Sequence, residues 1–376
     1  MKIQSIVFDN SYIRSFTSLV YARIFNKVNL YFFSNLKKKE FDYNFKLGPT
    51  GVLIKTIQCG YCGTDKNIVT FDFSFGSSVL LDTNKHKNKL IYLGHEVVGR
   101  VVKVGDKVTN FKNNDKIIVD SVNRGEKIDN EDIFGGFTNF FIKDQKKIKK
   151  INNKISDNEA ILIEPLACGL EAIKKINIKK NDKILIVGAG IIGVGIAHLL
   201  RCFYKKSINI TIATNSLTHK KMLNFKLVDN IIFRKDLFKE SKKILKTQSF
   251  SFMNNKILAD GYDKIFECSG NAKIINKVLR ISKKSADIVL TGMTMQNTEL
   301  DPSPIWHRNL NIYGSHGYKL KYPSLKLDTF DYIAELILKK KIDLKKLKIK
   351  KINFQNWKKL FKEDNKEFIK KVLIFK

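Results

Sequence analysis

Lys183-Ile184-Leu185-Ile186-Val187-Gly188-Ala189-Gly190-Ile191-Ile192-Gly193 is an apolar, β-branched run that ends in three glycines spaced G-x-G-x-x-G. The run reads as a buried parallel strand and the glycines as its turn into a helix. Gly188 permits the tight turn, Gly190 lets backbone approach a pyrophosphate, and Gly193 lets the helix pack close to the strand. The amides that open the helix, around Ile191 and Ile192, would face the phosphates. Further apolar runs at 208–214, 263–268, 287–292 and 310–314 alternate with helical stretches. That alternation predicts an α/β, doubly wound parallel-sheet domain of the Rossmann kind.

The second strand bears on the choice of nucleotide. Ile208-Asn209-Ile210-Thr211-Ile212-Ala213-Thr214 ends in Asn215-Ser216, with His219-Lys220-Lys221 just beyond. An acid about 20 residues past the glycines normally bonds the ribose hydroxyls of NAD. None stands here. A neutral strand end near Lys220 tolerates a 2′-phosphate, so the balance favours NADP. The alternative is that Asn215 bonds the ribose of NAD and the lysines are background.

Upstream, residues 1–160 read as mostly β. Short β-branched runs recur at Gly51 to Ile57, Val97 to Val104 and Lys116 to Val119, separated by turn signals such as Gly105-Asp106 and Asn113-Asn114-Asp115. Strands are also expected around Val28 to Phe33. Ser156-Asp157-Asn158-Glu159 has the form of a capping box, predicting a helix over 159–176. The tail carries an amphipathic helix (Asp328 to Lys340), a lysine-rich strand (Leu347 to Ile352), a second helix and a last strand, Val372-Leu373-Ile374. The expected organisation is a β-rich domain over 1–160, a nucleotide-binding domain over 161–317, and a segment, 318–376, that returns to the first.

Three places in this chain offer metal-binding chemistry. Cys62-Gly63-Thr64-Asp65, Gly94-His95-Glu96 and Glu164-Pro165-Leu166 supply a thiolate, an imidazole and carboxylates. A mixed sulfur, nitrogen and oxygen set suits zinc, and a catalytic zinc keeps one position open. Cys59 and Cys62 also form a lone C-x-x-C, which reads either as a redox pair or as a small strand residue beside the ligand. Between Asp120 and Gly135 the chain has no cysteine. A structural zinc site built from four cysteines there is excluded, and at most one zinc per subunit is expected.

Bulk properties bound the reading. The 376 residues allow two domains, and 43% hydrophobic content is ordinary for a globular protein. No run approaches the ~18 apolar residues of a membrane span. Five scattered cysteines fit a reducing cytoplasm better than a disulfide framework. The formal charge of +33 comes from lysines spread over the whole length. Abundant Lys, Asn and Ile together point to an A/T-rich genome, and no compact basic stripe with interleaved aromatics stands out. No specific nucleic-acid or membrane partner is expected.

Taken in order, Cys59-Gly60-Tyr61-Cys62-Gly63-Thr64-Asp65, Gly94-His95-Glu96-Val97-Val98-Gly99, Gly135-Gly136-Phe137, Glu164-Pro165-Leu166-Ala167, the glycine loop and Glu267-Cys268-Ser269-Gly270 resemble the zinc-containing branch of the medium-chain dehydrogenase/reductase superfamily. The resemblance spans nearly the whole chain and is nearest to sorbitol, threonine and glucose dehydrogenases. It implies a GroES-like β-rich catalytic domain wrapped on a Rossmann domain. It also implies a hydride-transferring oxidoreductase for a secondary alcohol or polyol, with one catalytic Zn2+ and NADP or NAD. Cys62 and His95 would be zinc ligands. The third is either Glu96, a ligand in polyol-type members, or Glu164, which stands where alcohol dehydrogenases place a cysteine and would otherwise hold a water at the metal. Thr64 would pass the substrate proton towards the cofactor ribose, and Asp65 would orient the site. Asn67 replaces the histidine that many members use as the outer proton relay, and it cannot act as a base. A homodimer or homotetramer, paired through a strand around Asn311-Ile312-Tyr313-Gly314, is also implied. Two rival readings stay open: a zinc-free NADPH-dependent reductase of the same superfamily, and a non-catalytic nucleotide- or nucleic-acid-binding protein on the same fold. Retention of both Cys62 and His95 argues against each.

Overall fold

Strand β1 (Lys2–Asp9) begins the chain and is followed by β2 (Leu36–Asp42), β3 (Gly51–Gly60), β4 (Leu90–Tyr92), β5 (Glu96–Val104), β6 (Lys116–Val119), β7 (Phe140–Asp144) and β8 (Ile148–Lys150). The structure, a computed structural model, describes residues 1–9, 35–69, 90–121, 135–216, 223, 226–252, 255–292, 299–319, 321–362 and 367–375. The expected strand around Val28 to Phe33, the segment Phe71 to Lys89, most of the cysteine-free stretch 120–135, and Lys220 lie outside the described residues.

The second half continues with β9 (Lys183–Val187), β10 (Asn209–Thr214), β11 (Asn230–Phe233), β12 (Ser249–Phe252), β13 (Asn255–Leu258), β14 (Tyr262–Glu267), β15 (Ser282–Leu290) and β16 (Asn311–Gly314). The chain closes with β17 (Ile349–Asn353) and β18 (Lys370–Ile374). Two compact units result. One holds 1–161, 349–363 and 370–376; the other holds 162–348 and 364–369.

In the first unit, the main sheet runs β17-β18-β3-β5-β6-β8, with β7 also on β3. β3 is therefore covered along both edges, and nearly every residue in it is buried. Its apolar side chains pack with Val97, Val101, Ile117, Phe137, Phe141 and Leu373 in one core. A smaller sheet, β2-β1-β4, completes the described strands of this unit.

In the second unit, β11-β10-β9-β14-β15-β16 form one sheet in which every neighbouring pair is parallel. Counted along the chain, leaving aside the β12–β13 hairpin, the order is 3-2-1-4-5-6, the doubly wound order of a Rossmann sheet. The order reverses between β9 and β14, and ligands bind such sheets at that reversal, beyond the carboxyl ends of the strands. Among the described residues no helix is long and apolar enough to cross a membrane.

The capping box forms: Ser156 Oγ accepts from the Glu159 amide at 3.3 Å, and Glu159 Oε2 accepts from the Ser156 amide at 3.0 Å. The helix expected over 159–176 is nonetheless two pieces, Asp157–Ala160 and Ile163–Lys174. Pro165 explains the break. It lacks an N–H and would clash with the carbonyl four residues back, so the helix restarts with Pro165 in its first turn. The chain returns to the first unit at Ile349, later than residue 318. The helix Thr329–Leu338, capped by Asp328, buries Phe330, Ile333 and Ile337. Tyr322 donates to Glu171 and Lys174 donates to Ser324 at 3.0 Å, tying 318–348 to the helix Ile163–Lys174.

Candidate metal centre and cofactor cradle

β3 and β5 are antiparallel neighbours with Gly60 opposite Glu96, so the loop leaving β3 and the loop entering β5 meet at one end of the sheet. Cys62 lies on the first loop, His95 on the second, and Glu96 is the first residue of β5. The ligand atoms of these three residues lie within 4.8 Å of one another. Asp65 holds the loops in place. Its Oδ2 accepts from the Cys62 amide and its Oδ1 from the Gly94 amide, both at 3.0 Å. Oδ1 is also 4.0 Å from His95 Nδ1. Burial pushes the Asp65 pKa above the ordinary aspartate value, against the pull of His95 and the two amides. Thr64 Oγ1 stands 3.8 Å from Cys62 Sγ.

Gly94 has φ +87°, and a Cβ there would meet Phe137 N at 2.7 Å and Cys59 Sγ at 2.8 Å. The Gly136 amide donates to the Gly94 carbonyl at 2.8 Å, so Gly135-Gly136-Phe137 backs the histidine loop. Cys59 is fully buried beneath that loop, and burial drives its thiol pKa well above the usual value. Of the two readings of the C-x-x-C pair, the geometry fits the small packing residue: a buried, protonated thiol is a poor redox partner.

Glu96 is 1% exposed and pairs with Lys370, whose Nζ donates to Oε1 at 2.5 Å. Its Oε2 contacts the same ammonium but has no hydrogen-bond partner. A buried carboxylate oxygen left in that state, beside a cysteine sulfur and an imidazole, suits a metal cation. Gly60 makes the room, since a Cβ there would lie 2.1 Å from Glu96 Oε2. Lys370 was not among the residues singled out from the sequence. The available signal was a lysine at an inward position of the last strand, where Lys370, Val372 and Leu373 are buried.

Glu164 stands in the first turn of the helix Ile163–Lys174, in the second unit, with Cys168 Sγ 3.9 Å from its Oε1. Among the described residues, the clustered ligand set is Cys62, His95 and Glu96.

In the second unit the glycine loop sits at the β9–β14 reversal. Gly188 has φ +110° and donates its amide to Ala213 at 2.8 Å; a Cβ there would touch Cys268 and Ser269 at 3.0 Å. A Cβ on Gly193 would lie 1.9 Å from the Gly188 carbonyl. A Cβ on Gly190, by contrast, meets nothing within 4 Å. Gly190 also caps the fourteen-residue helix Ile191–Tyr204 without a side-chain bond, leaving its opening amides to a ligand. Open space and uncapped amides fit a pyrophosphate. Asn215 follows β10 and is exposed. Glu267 closes β14, accepting from the Ser269 amide at 2.8 Å and from its hydroxyl.

Residues 48–153 match the alcohol dehydrogenase GroES-like domain family, and residues 242–335 match the zinc-binding dehydrogenase family. The chain belongs to the zinc-type medium-chain dehydrogenase/reductase superfamily. The (R,R)-butanediol dehydrogenase of Bacillus subtilis is 24% identical to this dehydrogenase over 320 residues, covering 80% of the chain and 87% of the relative. Two solved structures share the fold. One is an alcohol dehydrogenase, rspB, from Escherichia coli CFT073 complexed with NADH (TM-score 0.72, 20% identity, 100% of this chain and 99% of that one). The other is Staphylococcus aureus TarJ in complex with NADPH (TM-score 0.68, 18% identity, 100% of both). The GroES-like and Rossmann architecture expected from the motifs is therefore the architecture of this dehydrogenase, an NAD(P)-dependent oxidoreductase of zinc type.

Proposed function

We propose that this dehydrogenase transfers hydride between a secondary alcohol or vicinal polyol and NADP, with NAD as the weaker cofactor. The observation that carries the reading is the convergence of Cys62, His95 and Glu96 within 4.8 Å on loops pinned by one buried aspartate. These three residues would hold a single zinc, and no structural zinc is part of the proposal. When bound, zinc acidifies a substrate hydroxyl and the nicotinamide takes up hydride.

The chain's own residues do the rest. Asp65 keeps Cys62 and His95 in register, and its field favours a His95 tautomer with Nδ1–H towards the carboxylate, leaving Nε2 as the ligand atom. Thr64, 3.8 Å from the thiol sulfur, relays the proton, accepting it from the substrate hydroxyl as it passes its own on towards the cofactor ribose. Glu164 serves as a second carboxylate for the reaction. Gly188, Gly190 and Gly193, with the amides around Ile191 and Ile192, hold the pyrophosphate, and Asn215 and Lys220 hold the adenosine ribose. The protein works in the cytoplasm as a homodimer or homotetramer, with no specific nucleic-acid or membrane partner.

One observation favours the zinc-free reductase instead: Lys370 already supplies Glu96 with a buried cation. Activity separates the two. Oxidation of 2,3-butanediol and sorbitol should be seen with NADP, should vanish on chelation and in Cys62→Ser, and should return to the wild type with added zinc. Undiminished turnover in chelator-washed Cys62→Ser would contradict the proposal.

A further inference from the structure

β10 and β11 are parallel, with Thr214 in register with Phe233, so Asn215 and Arg234 leave the sheet side by side at its carboxyl edge. Arg234 opens the short 3-10 turn Arg234–Asp236 and is half-buried. The Asn215 amide, oriented as its surroundings require, turns its oxygen to the guanidinium and accepts from Arg234 Nη2 at 2.5 Å and Nε at 3.1 Å. Asn215 lies two residues past Ala213, whose carbonyl accepts the Gly188 amide and fixes the glycine loop to β10. The buried Glu267 carboxylate feels the guanidinium through space, but its hydrogen bonds come from Ser269, and among the described residues Arg234 forms no ion pair.

We infer that Arg234 is the residue that selects NADP, its guanidinium binding the 2′-phosphate beside Asn215. The inference rests on the dinucleotide-binding part of the proposed function and assigns the phosphate to a residue outside Asn215 and Lys220. The chemistry favours it. A planar guanidinium presents five donors and matches phosphate geometry, and Asn215 takes only two of them. Asn215 bonds Arg234 through its oxygen without adding a negative charge. An aspartate at the same position would neutralise the guanidinium and repel a phosphate, which is why the missing acid and the arginine act as one device.

The experiment is calorimetric titration of the full-length protein with adenosine 2′,5′-bisphosphate and with adenosine 5′-monophosphate, alongside nicotinamide fluorescence with NADPH and NADH. Wild type should bind the bisphosphate and NADPH tighter than their 2′-hydroxyl counterparts by about tenfold or more. Arg234→Gln should erase that difference and leave binding of the monophosphate and NADH unchanged. Asn215→Asp, which removes no arginine packing, should reverse the preference and covers the case in which Arg234→Gln does not fold. An Arg234→Gln protein that keeps the discrimination, or loses it only together with monophosphate binding, overturns the inference, as does discrimination abolished by Lys220→Ala but kept in Arg234→Gln. A wild type that prefers NADH overturns it while leaving the dinucleotide reading intact. A wild type that binds neither nucleotide overturns both.

Discussion

Asp65 is 1% exposed, with each carboxylate oxygen committed to a loop amide, one from Cys62 and one from Gly94. Removing it would leave two part-buried amides unpaired and free the two loops that carry Cys62 and His95. Asp65→Ala should cost about 2–4 kcal/mol of stability, at about 1–3 kcal/mol per orphaned group with some relaxation. It should also weaken zinc retention by about 10–100-fold. Denaturant melts and competition with a zinc chelator check the two effects. A variant as stable and as zinc-retentive as the wild type would show that Asp65 does not position the loops. The three clustered residues, Cys62, His95 and Glu96, were legible in the sequence because each sits in a short local motif. Lys370 and Arg234 were not, because their roles come from cross-strand neighbours. Gly60 faces Glu96 and Val372, and Thr214 faces Phe233, and neither pairing follows from spacing along the chain.

Elements with strong periodicity or caps were the most readable. Strands expected at 183–188, 208–214, 263–268 and 310–314 form at Lys183–Val187, Asn209–Thr214, Tyr262–Glu267 and Asn311–Gly314. β11, the helix Leu237–Leu245 and the β12–β13 hairpin were missed. Their lysine- and asparagine-rich sequence mutes the apolar pattern that local reading depends on. Asp229 illustrates how such a segment is anchored. Its Oδ2 accepts from the Ile210 amide and from Arg201 Nη2, each at 2.8 Å, and its Oδ1 from Lys206 at 2.9 Å. Burial raises its pKa, but these bonds outweigh it and hold the carboxyl below the ordinary aspartate value. A depressed folded-state pKa stabilises the fold above the unfolded pKa, and that stability is lost as pH falls through the folded one. Asp229→Asn should therefore cost about 1–2 kcal/mol at pH 7, after allowing for solvent screening. The gap to wild type should close as pH falls below the normal aspartate range. A gap that persists in acid would assign the loss to packing.

At the scale of the molecule, β16 is the edge strand of the Rossmann sheet, and beside it Trp306 is 80% and Ile312 38% exposed. An edge with no further strand paired to it among the described residues, and with apolar side chains, suits pairing with a second copy. Trp306→Glu with Ile312→Lys should shift the protein to monomer in sedimentation analysis while leaving the fold intact, and an unchanged assembly would place the interface elsewhere. The charge of +33 was legible but carried little about function, since the lysines are spread along the chain. The two-unit organisation was legible from the order of motifs, whereas the late return at Ile349 depends on how residues 318–348 pack. The proposed chemistry requires Cys62, His95 and Glu96 to form a zinc centre. Elemental analysis of chelator-washed protein, beside Cys62→Ser, tests it most directly. About one zinc per subunit in the wild type and none in the variant is the predicted result. No zinc in the wild type, even after reconstitution, would contradict it.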